Sequence, residues 1–251
     1  MCDDTVALRD LLLASKRAVV FTGAGISTES GIPDFRSPGG IWSRHKPIDF
    51  NDFLSSEEAR RRAWKLKFMM DEDLRQAAPN AGHLAIAELV RKGLVSHVIT
   101  QNVDGLHQKS GVPDAQVVEL HGNTTYAHCL SCFTCYELAP IKTDFEKDGT
   151  LPVCGQCGGL VKAATISFGQ AMPESAMRSA QKATVGCDLF LAIGSSLVVY
   201  PAASFPLIAK RQGAKLVIIN RDPTELDSVA DLVIHNEIGP VMRRVVIEVL
   251  A

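Results

Sequence analysis

The stretch Ala18-Val19-Val20-Phe21-Thr22-Gly23-Ala24-Gly25-Ile26-Ser27-Thr28 decides the fold, and it runs on to Pro33-Asp34-Phe35-Arg36-Ser37. An apolar run ends in glycines, which permit a tight turn and let backbone N–H groups approach a phosphate closely. The segment therefore reads as the strand and turn of a nucleotide site. Its continuation is unusual for a dinucleotide fold. Pro33-Asp34-Phe35-Arg36 sets an acid, an aromatic ring and a guanidinium in a row, and a loop that held only phosphates would need none of them. The turn also departs from G-x-G-x-x-G, with Thr28 where the third glycine would stand. The acidic residue that a hydride-transfer enzyme wants about 20 residues further on would fall near position 45, in a loop with no strand before it. That counts against a standard dehydrogenase.

Outward from this turn, short apolar runs alternate with helical patterns. Strands are expected at Ala18–Thr22, Val95–Gln101, Val117–Leu120, Leu189–Ser195, Lys215–Asn220 and Asp231–His235. They are apolar almost throughout, as parallel strands covered on both faces should be. Helices are expected at Val6–Ala14, Ala81–Lys92, Glu174–Ala183, Ala202–Gln212 and Gly239–Leu250, with Asn80 as an N-cap and Gly93 as a stop for the second. This alternation argues for an α/β fold built on a doubly wound parallel sheet. Two stretches interrupt it. Residues 37–78 are polar, carry Trp42 and Trp64, and read as a loop followed by helices. Residues 124–167 hold a cysteine cluster and little helical periodicity, and read as a small metal-held module.

The 251 residues suffice for one large domain with small inserts, and 46% hydrophobic content suits a substantial core. Lys plus Arg (26) nearly balances Asp plus Glu (28), so the formal charge of −2 draws neither nucleic acid nor an anionic membrane. Arg60-Arg61-Arg62 is read as a solvated helix face, and direct nucleic-acid binding is not expected. The acidic Met1-Cys2-Asp3-Asp4 start lacks a signal-peptide layout, and no apolar run reaches the roughly 18 residues of a membrane helix. A cytoplasmic protein is expected, in which clustered cysteines point to metal rather than disulfides.

Cys129-Leu130-Ser131-Cys132 and Cys154-Gly155-Gln156-Cys157 are two C-x2-C knuckles separated by 21 residues. Such knuckles present paired thiolates to one ion and together complete a closed tetrahedral zinc site, with no open position for water. One structural zinc is therefore expected. Cys135 offers a second possible pair with Cys132, so the register of the first knuckle stays open. Thr100-Gln101-Asn102-Val103-Asp104-Gly105-Leu106-His107 delivers two carboxamides and a carboxylate to a strand's C-terminal end, where ligands bind in such sheets. Read alone it is equally an Asn-x-Asp-Gly turn. His121 closes the next strand and is followed by Gly122, which lets a ligand come near. Gly194-Ser195-Ser196, Ile219-Asn220 and Phe168-Gly169-Gln170 are weaker signals of the same kind.

Taken together, these segments resemble the sirtuin family of NAD-dependent protein deacylases, from Gly23 to about Ile238 in the family's order. The resemblance implies a Rossmann-type NAD-binding domain of residues 1–36, 79–123 and 168–251. A cofactor loop and helical insert would occupy 37–78, and the zinc-binding module 124–167. It implies a cofactor site of Gly23, Ala24, Gly25, Thr28, Asp34, Phe35, Arg36, Gln101, Asn102, Val103, Asp104, Gly194, Ser195, Ser196, Asn220 and Ile238. Asn102 and Asp104 would bracket the nicotinamide ribose and carboxamide, and His121 would be the general base. Cys129, Cys132, Cys154 and Cys157 would bind the zinc. NAD would be consumed, its ADP-ribose accepting the acyl group of an acyl-lysine protein or peptide. Gln170 stands where many members have Glu, and Ser195 where many have Thr. Members that prefer acidic acyl groups carry a Tyr-x-x-Arg on the helical insert. Those positions fall near Lys67 and Met70 here, so acetyl or longer apolar acyl groups are expected over succinyl. Protein mono-ADP-ribosyltransfer, or a non-enzymatic NAD-sensing module, are the alternatives; joint retention of His121, Asn102 and Asp104 argues against the sensor.

Overall fold

The computed structural model of the chain describes residues 2–35 and 38–250. In chain order the strands are β1 (Ala18–Thr22), β2 (Val95–Thr100), β3 (Val117–Glu119), β4 (Gly122–Cys129), β5 (Cys135–Glu137), β6 (Val161–Thr165), β7 (Leu189–Ile193), β8 (Lys215–Ile219) and β9 (Leu232–Ile234). The helices are α1 (Cys2–Ala14), α2 (Ile41–Arg44), α3 (Phe50–Ser55), α4 (Glu57–Gln76), α5 (Ala81–Arg91), α6 (Leu106–Lys109), α7 (Leu138–Asp148), α8 (Glu174–Val185), α9 (Phe205–Arg211) and α10 (Ile238–Leu250). All six expected strands and the five expected helices are present, with ends shifted by a few residues. The helix expected over 202–212 is divided: a 3₁₀ turn spans Ala202–Ser204 and the α-helix starts beside Pro206.

The large sheet has the order β3-β2-β1-β7-β8-β9, with every pair parallel. That is the doubly wound order, built outward in both directions from the β1/β7 pair. Every residue of β1 and β7 is buried, because helices cover both faces. On one face Val20, Leu191 and Val217 pack with Leu8, Ile86, Leu89 and Met242 of α1, α5 and α10. On the other, Phe21, Phe190 and Ile218 pack with Ala180 and Ala209 of α8 and α9. Asn80 caps α5, accepting from the Gly82 and His83 amides.

Residues 122–165 form a second, antiparallel sheet of order β5-β4-β6. They also carry α7, which the cysteine-rich sequence conceals. Its apolar stripe, Leu138, Ile141 and Phe145, is only two turns long and is interrupted by Pro140. Proline is tolerated there because first-turn amides have no intrahelical partner. The two inserts share one core: Trp64 and Phe68 of α4 pack with Ala127, Ile141, Val161 and Ala163, beside Cys129 and Cys154.

Candidate active site

Parallel strands end on one side of the sheet, and a cavity of about 640 Å³ opens there, beside the ends of β1 and β7. Gly23, Ala24, Gly25, Asp34, Phe35, Gln101, Asn102, Val103, Asp104, His121, Gly194, Ser195, Ser196 and Asn220 all line it. Thr28 and Ile238 lie outside this lining. The Thr28 hydroxyl donates to the Gly25 carbonyl at 2.9 Å, and Ile238 is buried in the core under the turn. Arg36 lies outside the described residues.

The β1 and β7 turns meet backbone to backbone. The Gly25 amide donates to the Gly194 carbonyl at 2.8 Å. Gly194 has φ +64°, and a Cβ there would fall 2.3 Å from the Ile26 nitrogen. No side chain fits between the turns, so glycine is required on both sides of the contact. A 3₁₀ helix, Ala24–Ser30, follows the first turn in place of the α-helix usual in dinucleotide folds.

The loop after β2 is held from beneath. The Asn102 amide donates to Thr100 Oγ1 at 3.0 Å, and its carboxamide donates to the Gly23 carbonyl (3.1 Å) and Ser27 Oγ (3.2 Å). Ser27 Oγ donates in turn to Asp104 Oδ2 at 2.7 Å, while Asp104 Oδ1 accepts the Leu106 amide at 2.9 Å. Asn102 and Asp104 are each only 8% exposed, so both side chains are fixed before any ligand arrives. Ser27 escaped the sequence reading. A hydroxyl in a glycine turn reads as a phosphate ligand, whereas here it ties the first turn to the loop after β2.

His121 lies between β3 and β4, its Nδ1 2.9 Å from the Gln101 carbonyl. A carbonyl only accepts, so Nδ1 carries the proton and Nε2 of the neutral ring is left basic. Burial lowers the His121 pKa, opposed by the Gln101 carbonyl. Gly122 has φ +76°, and a Cβ there would strike the Ala164 carbonyl at 2.0 Å, which explains the glycine after the histidine. Gln101 Nε2 donates to Ser195 Oγ at 2.9 Å, joining the loops after β2 and β7.

Behind the loop, His83 and His107 are buried with ring centroids 5.0 Å apart. His107 Nε2 lies 2.9 Å from the Thr22 hydroxyl, which donates to Thr100 Oγ1 at 2.8 Å. Burial pushes His83 down to about 4, partly offset by Asp104, and His107 down to about 3, with His83 adding to the effect.

The far wall comes from the inserts, with Phe53, Trp64, Lys67 and Met70 facing Lys162 and Ala163. The Lys67 ammonium is paired with Asp71 one turn on. Lys162 donates to the Thr165 carbonyl and sits over the Phe53 ring, and burial lowers it to about 8.

The Sir2 family model matches residues 23–201, most of the chain. The chain belongs to the Sir2 family. It is 57% identical to the NAD-dependent protein deacetylase 1 of Bradyrhizobium diazoefficiens, over 92% of this chain and 91% of that one. The NAD-dependent protein deacetylase of Rhodopseudomonas palustris is 55% identical over 92% of both. A solved Sir2–p53 peptide–NAD+ complex superposes with a TM-score of 0.87, is 38% identical, and covers 96% of this chain and 97% of that chain.

In this Sir2 chain Cys129, Cys132, Cys154 and Cys157 gather with all four Sγ atoms within 4.8 Å of one another. Ligands about 2.3 Å from a tetrahedral zinc stand roughly 3.8 Å apart, so the set fits that ion. The Tyr136 hydroxyl donates to Cys154 Sγ at 3.0 Å, a polar contact behind a would-be ligand. Cys135 lies outside the cluster, on β5, which resolves the register of the first knuckle. Among the described residues no helix is long and apolar enough to cross a membrane.

Proposed function

We infer that this Sir2 chain is an NAD-dependent protein lysine deacylase, which moves the acyl group of acyl-lysine onto ADP-ribose and releases nicotinamide. One observation carries the assignment of roles: a neutral His121 with a bare Nε2 shares a cavity with the pre-fixed Asn102 and Asp104. NAD supplies the electrophilic C1′ that the acyl oxygen attacks as nicotinamide leaves. The Gly23–Gly25 and Gly194–Ser196 turns and Asn220 hold its phosphates and adenosine ribose. Asp104 and Asn102 orient the nicotinamide end, and the Asp34-Phe35 segment excludes water from it. His121 Nε2 then takes a proton from a ribose hydroxyl. Acyl-lysine enters the same cavity, against the far wall that the inserts supply.

Cys129, Cys132, Cys154 and Cys157 hold a structural zinc, because four thiolates leave no position for substrate. The acyl group is acetyl or a longer apolar chain. Lys67, near one of the two positions where acid-preferring members carry Tyr-x-x-Arg, is already engaged by Asp71. We assign the protein to the cytoplasm, where clustered cysteines persist as metal ligands.

The test is nicotinamide release from NAD with acetyl-, hexanoyl- and succinyl-lysine peptides. Release should require an acyl peptide and yield O-acyl-ADP-ribose, fastest with the uncharged acyl groups. Label from NAD accumulating on protein would favour ADP-ribosyltransfer. Absence of NAD consumption with every peptide would refute the enzyme.

A further inference from the structure

On the β8 side of the cavity the chain leaves the sheet after Ile219 and turns through a loop before a 3₁₀ turn, Asp227–Val229. Asn220, Asp222 and Pro223 of that loop line the cavity. Between 220 and 227 only Leu226 is buried, so polar contacts must hold the rest. His235, the residue after β9, supplies two of them with one ring. Its Nδ1 donates to the Asn220 carbonyl at 2.9 Å, and its Nε2 lies 3.1 Å from Asp227 Oδ2. The first contact extends the β8/β9 ladder with a side chain. Ile219 pairs with Ile234, the Asn220 amide donates to the Ile234 carbonyl at 3.2 Å, and the ring then takes the Asn220 carbonyl. The second contact reaches a carboxylate that also accepts the Thr224 hydroxyl at 2.6 Å and the Thr224 amide at 3.1 Å. Within the loop the Asn220 carboxamide donates to the Asp222 carbonyl at 2.7 Å, which leaves its oxygen as an acceptor for a ribose hydroxyl.

We propose that His235 is a positioning residue for NAD: it clasps the loop from Asn220 to Asp227 at both ends, so that the adenosine half of NAD meets a loop already in place. The inference rests on the reading that Asn220 takes the adenosine ribose. A loop with one buried residue has little packing to order it, and whatever order it lacks must be supplied by the ligand when it binds. The clasp removes that cost beforehand. Its two halves are unequal. The His235 and Asp227 side chains are 40% and 22% exposed, and an ion pair so open to water is worth little. The bond to the Asn220 carbonyl fixes the residue that meets the ribose, and losing it should weaken binding by about threefold to tenfold. Because His235 stands outside the core clusters, its truncation opens no cavity in them.

The experiment uses the whole chain, with ADP-ribose as the binding probe and an acetyl-lysine peptide for steady-state rates. His235→Ala should raise both the Kd for ADP-ribose and the KM for NAD by about threefold to tenfold. The kcat at saturating NAD and the KM for peptide should stay within about twofold of the parent, because neither the His121 side nor the insert wall is touched. His235→Asn keeps a donor where Nδ1 stood but stops short of Asp227, and it should recover most of the lost affinity. A His235→Ala protein with the parent's Kd and KM overturns the proposal. So does one whose peptide KM rises as much as its NAD KM, which would mean general loosening, or a His235→Asn protein as weak as His235→Ala. A parent that does not bind ADP-ribose would sink the NAD-site reading instead.

Discussion

The two sides of the cavity are built in different ways. The floor, at the strand ends, is a web of short polar contacts: Ser27 to Asp104, Asn102 to Gly23, Gln101 to Ser195, His121 to the Gln101 carbonyl. The wall, from the inserts, is made of rings and aliphatic chains around Trp64, with its charges paired or turned to carbonyls. A floor of this kind fixes angles, as proton transfer and ribose orientation require. An apolar wall fixes volume, which suits a variable acyl chain. Chemistry and substrate choice are thereby assigned to separate parts of the chain, and substitutions can pull them apart.

The largest effect should come from the floor. His121→Ala is expected to cut deacylation by about 10²–10⁴-fold with little change in melting temperature, because it removes a general base and no core contact. Steady-state rates beside a melting curve check this; unchanged NAD consumption would undo the assignment. The wall should fail in the opposite sense. Trp64→Ala truncates a side chain that is 2% exposed and should cost about 3–5 kcal/mol in denaturant unfolding, while the folded fraction still binds an unreactive NAD analogue.

Ser27→Ala should lower kcat/KM by about tenfold to a hundredfold, because the Asp104 carboxylate loses a hydrogen bond and Asn102 loses a partner. Loss of thermal stability alone, with kcat/KM unchanged, would reduce Ser27 to a packing residue. The buried histidines give a graded prediction. His83 and His107 titrate near 4 and 3 in the folded chain, whereas an unfolded chain takes up those protons around 6.5. The unfolded state therefore binds more protons as pH falls from about 7 towards 4, and stability must drop across that window. Melting temperatures from pH 7 to 4 test it, and His83→Gln should flatten the slope. The smallest change concerns the wall's charge. Asp71→Asn releases the Lys67 ammonium and should raise the succinyl-to-acetyl rate ratio, by about tenfold at most. A ratio that stays put would remove Lys67 from the acyl end.

The floor was largely legible in the sequence because its determinants are local. β1 and β7 are unbroken apolar runs, and their glycine turns can be read without knowing what they touch. Gln101, Asn102 and Asp104 follow a strand directly, so strand topology alone delivers them to the site. The wall was not legible. Trp64 finds Ala127 and Val161 across separations of 63 and 97 residues, and no period announces such a contact. α7 was missed because its stripe is short and Pro140 imitates a break. Ser27 was visible, but its partners Asn102 and Asp104 lie 75 and 77 residues away.

The small sheet begins at Gly122 and ends at Thr165, two residues paired across β4 and β6, and the Ile166 amide donates to the His121 carbonyl beside them at 2.8 Å. Everything between hangs from a two-stranded neck whose ends already touch. Seen as heredity rather than mechanics, residues 123–164 are a cassette. Such a segment can be lengthened, recoded or exchanged without moving the strand ends that its neck adjoins. It would carry away half of the core around Trp64, so it and α4 must change together. The His121 carbonyl, bonded to the Ile166 amide at the base of the neck, stays where the sheet puts it.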